Sequence, residues 1–220
     1  MSALLGPTRD LCGGRVAPLP PAMLARMHDR SWHPADPRCP RADQLALVEV
    51  AHRTFDGGVA PGELVVASAI ATPALELFTR LFAIGLPLRS LRPIDDFDGR
   101  DDASMAADNS SGFNFRTIAG TDVLSQHALG LAIDLNPIEN PWLGAHGLAP
   151  AAGAAYLDRA DVRPGMIVRP GPVVAIFDEL GWEWGGDWRH ARDYHHIVWA
   201  RRDEPRSRCA GRSSSTTRSS

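Results

Sequence analysis

Apolar positions along the chain change their period several times, and each change marks an element. In "LALVEVAHRTF" (Leu45–Phe55) apolar and polar residues alternate well enough to predict a strand, and "DGG" then supplies a turn. "ELVVAS" (Glu63–Ser68) predicts a second strand. "TPALELFTRLFAIG" shifts to a helical period. Leu75, Phe78, Leu81 and Phe82 share one face, Thr72 stands as N-cap, Pro73 takes the first helical position, and Gly85 is the stop. "LPLRSLRPI" predicts a strand ending near Pro93, and "GLAIDL" (Gly130–Leu135) is strand-like. "PGPVVAIFDELG" predicts a helix stopped by Gly181, followed by two closing strands, "WEW" and "HHIVWA". Strands and helices alternate irregularly, with hairpin-length links. That predicts an α+β fold: a mostly antiparallel sheet with flanking helices.

Residues 1–42 are rich in Pro, Arg and Asp and carry a short helical candidate at Pro21–Asp29. They read as an extension, part of which packs on a domain spanning 43–202. The tail "DEPRSRCAGRSSSTTRSS" (Asp203–Ser220) is polar and of low complexity, and is expected to be disordered because it has too little surface to bury. A polar stretch from Asp95 to Gly120 is long for a loop inside a domain, and such loops are functional or disordered.

Composition narrows the class. The 220 residues suffice for one domain with a real core, and the hydrophobic share of 44% is that of a globular chain. No apolar run approaches the roughly 20 residues of a membrane helix, so no membrane span is expected. A net charge of −3 gives no attraction to nucleic acid. All basic residues are arginine, which reads as codon bias and not as a binding device. Cys12, Cys39 and Cys209 lack the paired spacing of a structural zinc site; Cys12 and Cys39 can pair if the chain is exported. The N-terminus has no charged start followed by a long apolar run, so no standard signal peptide is seen.

The chemistry concentrates in two stretches. "SQHALGLAIDLNP" (Ser125–Pro137) sets His127 and Asp134 seven positions apart in a run that otherwise reads as core. On a helix they would lie about 10 Å apart along the axis, too far for donors that must each sit about 2 Å from one ion. In an unbroken strand they would face opposite ways. Gly130 permits a third arrangement, in which the chain turns after His127 and enters a strand carrying Asp134. A carboxylate among Ala132, Ile133 and Leu135 needs a cation, either an arginine or a metal. In "GWEWGGDWRHARDYHHIVWA", Asp193 and His196 stand three apart at the start of a strand-like run. Two histidines and a carboxylate would make the three-ligand set of a hydrolytic zinc site, with a further carboxylate as base. Composition does not separate His195 from His196. If Ile197 and Trp199 face the core, alternation puts His195 with them and His196 on the other face.

"SQHALGLAIDLNP" resembles the S-x-H-x-x-G-x-A-x-D signature of the zinc peptidases that cut D-alanine-containing cell-wall peptides. These are the D-alanyl-D-alanine carboxypeptidases, D-Ala-D-Ala dipeptidases and L-alanyl-D-glutamate endopeptidases of the Hedgehog/DD-peptidase fold. "WGGDW…DYHH" resembles the second signature of the endopeptidase-like branch, and the two motifs occur in order within residues 43–200. The resemblance implies zinc held by His127, Asp134 and His196, the D-x-x-H spacing choosing His196 over His195. It puts Asp193 at the place of the general base, a glutamate in the carboxypeptidase and dipeptidase branches, so the shorter side chain must be compensated by backbone position. It makes Ser125 a substrate contact beside the metal. Arg92 and Arg116 are alternative partners for a substrate carboxylate, although leucine replaces the tyrosine expected before Arg92. Trp184 and Trp188 read as core and wall, Trp188 being the candidate to touch substrate, and Asp187 is a candidate to orient a ligand histidine. His52, His146 and His190 read as structural or exposed. The implied substrates, peptidoglycan stem peptides, lie outside the cytoplasm, and a monomer is expected. The rivals are a zinc-bearing binding module of the same fold and a metal-free interaction domain.

Overall fold

The computed structural model describes residues 13–144 and 147–200. Cys12, Cys209, His146 and the tail from Asp203 lie outside these residues; Cys39 is buried and bridges to no described residue.

The first sheet is antiparallel and holds three strands in chain order, β1 (Arg15–Pro18), β2 (Leu45–Arg53) and β3 (Val59–Ala67). Helix α1 (Pro21–Met27) falls between β1 and β2, with a proline at its start. The sheet is covered on both faces. Ala46, Val48, Val50, Leu64 and Val66 pack against α2 (Ala71–Ala83), and Leu45, Leu47 and Val65 pack against Leu19, Met23, Met27, Cys39 and Phe113. A strand buried on both sides is apolar at consecutive positions, which is why "LALV" opens β2 without a polar residue. The N-terminal segment is thus the cover of the second face, and β1 is part of the sheet itself.

Helix α2 begins one residue before the expected cap. Ile70 takes the N-cap position with no side-chain bond, because a 3-10 turn over Ser68–Ile70 already leads the chain into the helix. Leu77 and Phe78 on α2 are almost wholly enclosed. The expected strand before Pro93 shrinks to β4 (Ser90–Leu91), which pairs in parallel with β5 (Asn109–Ser110). Between them the polar stretch is ordered by a 3-10 turn at Ile94–Phe97 and by α3 (Asp101–Ala106).

A second antiparallel sheet joins β6 (Ala132–Asp134), β11 (His196–Trp199) and β9 (Trp182–Trp184) in the order β6-β11-β9. Helix α4 (Pro172–Leu180) feeds β9 and ends at Gly181 in the left-handed region, as the sequence predicts. A third sheet pairs β7 (Trp142–Gly144) with β8 (Gly147–Ala149) and β10 (Arg192–Asp193). The α+β class is therefore as expected, but the antiparallel strands are divided among three small sheets. Among the described residues no helix is long and apolar enough to cross a membrane.

Candidate metal centre

Asp134 ends β6 and stands directly opposite His196 of β11 in the antiparallel register. Cross-strand partners share a face, so this pairing alone brings the carboxylate and one imidazole together. Ile133 and Ile197, one position along, pair on the other face, in the core. The alternation expected for His196 is therefore realised.

His127 arrives from the preceding turn. Residues Gln126–Leu129 form a 3-10 turn capped by Ser125, whose hydroxyl accepts from the His127 N–H at 3.3 Å. The turn ends at Gly130 with φ +67°, and a Cβ there would lie 2.4 Å from the backbone nitrogen of Ala67. Only glycine allows this turn to dock on the end of β3, where the Ala67 N–H donates to the Gly130 carbonyl at 2.9 Å.

The ring of His127 is set by its outer nitrogen. Nδ1 donates to the Gly112 carbonyl at 2.6 Å, which leaves the Nε2 lone pair facing Asp134 Oδ2 at 3.1 Å and His196 Nδ1 at 3.1 Å. His196 Nδ1 lies 2.8 Å from Asp134 Oδ1. One ligand atom from each of the three side chains falls within 4.8 Å of the others, and all three residues are buried. Two imidazole nitrogens and a carboxylate converging in this way suit a divalent transition metal, zinc first.

The electrostatics agree. Burial resists the charge on Asp134, but His127, His195 and His196 outweigh it and hold the carboxyl well below its usual range. Burial pulls His127 down, yet the charge and hydrogen bond of Asp134 win and the ring's affinity for a proton rises; Arg116 opposes this from nearby. The pocket thus calls for positive charge.

His195 is the residue sequence reasoning left aside. The alternation that put His195 on the face of Ile197 does not hold: a bend at Tyr194–His195 breaks the strand there and turns the ring toward Asp193 and Asp134. Nε2 lies 2.9 Å from Asp193 Oδ1 and 4.0 Å from Asp134 Oδ2, and Nδ1 donates to the Asn140 carbonyl at 2.8 Å. Burial opposes its charge, but Asp193 and Asp134 push the ring up to about 10. His195 therefore stands between the two carboxylates, in contact with Asp193 and 4.0 Å from Asp134. The doubled "HH" was the available signal; the Gly112 and Asn140 carbonyls, being backbone, gave none.

Asp193 sits at the end of β10, largely enclosed, against a tight 3-10 turn at Gly185–Asp187. A Cβ on Gly185 would lie 2.6 Å from the Asp193 carbonyl and 2.9 Å from its Cβ, so the turn presses on the backbone that aims this side chain. Trp188 leaves the turn half exposed, its ring centroid 5.5 Å from that of His196. Trp184 is core. Asp187 does not touch a histidine; it pairs with Arg169, which also holds Asp178, because the turn points it outward. Of the two arginines, Arg92 pairs with Asp96 and stacks over Phe97. Arg116 pairs with Asp101 at 2.7 Å, and its charge reaches His127. His52 is buried and bonded to the Arg53 carbonyl, and His190 is exposed.

The three convergent buried donors could hold a metal ion, with a carboxylate and a histidine beside them. Residues 119–199 match the sequence model of a family described as D-alanyl-D-alanine carboxypeptidase, a stretch that holds all three donors together with Ser125 and Asp193. The resemblance read from the two motifs is thus borne out over that segment. Neither the curated proteins nor the solved structures include a match to the chain.

Proposed function

We propose that the chain is a zinc-dependent peptidase of the Hedgehog/DD-peptidase fold that hydrolyses D-amino-acid-containing peptides of the cell wall. The observation that carries this reading is the convergence of His127, Asp134 and His196 inside the segment that matches the peptidase family. Zinc, when bound, polarises a scissile carbonyl and lowers the pKa of a water. The chain's own residues supply the rest. Asp193 takes the proton of the attacking water and returns it to the leaving amine. His195, beside Asp193 and fixed by Asn140, holds that carboxylate in place. Arg116 receives a substrate carboxylate, Ser125 steadies the peptide next to it, and Trp188 walls the site. The "WGGDW" turn favours endopeptidase cleavage, between L-alanine and D-glutamate, over a carboxypeptidase mode.

Metal analysis joined to mass spectrometry of digested peptidoglycan tests the proposal. The wild-type protein is expected to carry zinc and release shortened stem peptides. Asp193→Asn keeps the zinc and loses roughly 10²–10⁴-fold in rate, whereas His127→Ala loses both. Full activity in Asp193→Asn would remove the base assignment; zinc without any product would favour a binding module.

A further inference from the structure

Arg116 and Ser125 are neighbours, the Ser125 N–H donating to the Arg116 carbonyl at 3.1 Å. They stand at the base of a short hairpin, Thr117 bridging Leu124 and the Ile118 N–H donating to the Val123 carbonyl at 2.8 Å. The base adjoins the turn that carries His127, since the Ser125 hydroxyl accepts from the His127 N–H at 3.3 Å, and the hairpin leaves Ile118 and Val123 exposed. Facing the hairpin is the loop from His33 to Arg38. It is fixed by the Phe115 N–H donating to the Ser31 carbonyl at 2.9 Å and by the His33 ring, 5.8 Å from that of Phe115.

Between hairpin and loop runs a cleft of about 740 Å³, lined by His33, Asp36, Arg38, Phe115, Arg116 and Leu124. The cleft is shallow and open on its outer side, a shape that suits a peptide lying along the surface and not one enclosed in a pocket. Phe115 and Leu124 give it an apolar side, and Arg38 and Arg116 a cationic one. Both arginines hold partly exposed carboxylates, Asp36 at 2.7 Å and Asp101 at 2.7 Å. The Arg38 pair is bidentate, so a ligand carboxylate at Arg38 has to compete with Asp36 for the guanidinium. Arg116 belongs to both spaces: it lines the cleft, and its charge reaches His127. The His33–Arg38 loop lies outside the segment that matches the peptidase family, so this wall comes from the chain's own N-terminal part.

We infer that the cleft is an extended subsite for a carboxylate-bearing peptide, holding substrate residues beyond the pair that flanks the cleaved bond, with His33 and Arg38 setting specificity. The inference rests on the peptidase reading above. Arg116 and Arg38 line the same cleft, one from the hairpin and one from the facing loop, so a longer ligand is expected to feel Arg38 more than a short one.

Calorimetric titration of the zinc-loaded Asp193→Asn protein with a synthetic stem pentapeptide and with the L-alanyl-D-glutamate dipeptide tests it. In that background Arg38→Ala removes the outer charge, and Ala35→Trp, at an exposed position beside the cleft, fills the space. Each is expected to raise the pentapeptide Kd about tenfold and the dipeptide Kd less than twofold, at equal zinc content. An unchanged pentapeptide Kd, an equal weakening of both ligands, or no pentapeptide binding overturns the inference. The peptidase reading fails separately, if the zinc-loaded wild-type protein leaves the pentapeptide uncut.

Discussion

A carboxylate as enclosed as Asp134 must meet positive charge on every open side, and this requirement explains the residues around it. Two histidines meet it across the strand and from the turn, and a third stands 4.0 Å away. The sequence made the first two legible, because a histidine, a glycine and an aspartate at these spacings in an apolar run have few other ways to be satisfied. For His195 the doubled histidine was a signal that something stood there, but not where its ring goes, because that depends on a bend no local pattern announces. The Gly112 carbonyl was equally hidden, since a backbone acceptor has no residue signature. Gly130 is the point where sequence and geometry meet most tightly. Gly130→Ala places a methyl group 2.4 Å from the Ala67 nitrogen at a φ of +67°. The left-handed backbone alone costs about 1–2 kcal/mol, and with the clash the total should reach about 3 kcal/mol. A melting temperature lower by roughly 6–12 °C is expected, with weaker zinc retention, read by calorimetry and metal analysis of the same sample.

At the scale of elements, the long amphipathic helix and the central strands were readable, and the short pieces were not. Helix α2 announces itself by period, but its start is set by the 3-10 turn before it rather than by Thr72. The polar stretch after Pro93 offers no period because its elements are too short to have one; its order comes from individual bonds. Asp108 shows how. It stands just before β5 in a left-handed conformation (φ +55°) and accepts from the Ile138 N–H at 2.9 Å. It lies against Glu139, which is bonded to Tyr156, with Arg89 at 3.8 Å. Burial, then the hydrogen bond shared with Glu139, pushes its carboxyl up to about 8. The folded chain therefore keeps a proton that the unfolded chain releases near the ordinary value of 3.8. Stability from this group is complete below about pH 4, and it is lost as pH rises through about 8. Between about pH 5 and about pH 8 the wild-type protein should lose roughly 2–4 kcal/mol on this account. Asp108→Asn, which keeps the acceptor and removes the charge, should flatten the loss. Urea midpoints at the two pH values decide it; an equal slope in both proteins would remove Asp108 as its source.

For the whole molecule, the division of labour is uneven along the chain. The family match ends at its N-terminal side at residue 119, yet residues 13–118 supply the first sheet, the carbonyl that aims His127 and the arginine whose charge acts on His127. A metal held by His127, Asp134 and His196 would therefore tie a turn docked on the first sheet to two strands of the second. Binding that exists only in the folded state stabilises it by RT ln(1 + [L]/Kd), about 4.1 kcal/mol at a thousandfold excess over Kd. For a chain of this size that corresponds to roughly 8–16 °C in melting temperature. Chelation should lower the melting temperature by that amount, and added zinc should restore it. His127→Ala, which removes a donor, should start low and show no response to either. Protons compete with the metal for the same histidines, so the gap between chelated and zinc-loaded protein should narrow as pH falls below the ordinary histidine range. No gap at any pH would mean that the three side chains are held together by their own hydrogen bonds and owe nothing to a metal; a gap that does not change with pH would put the metal on donors other than these histidines.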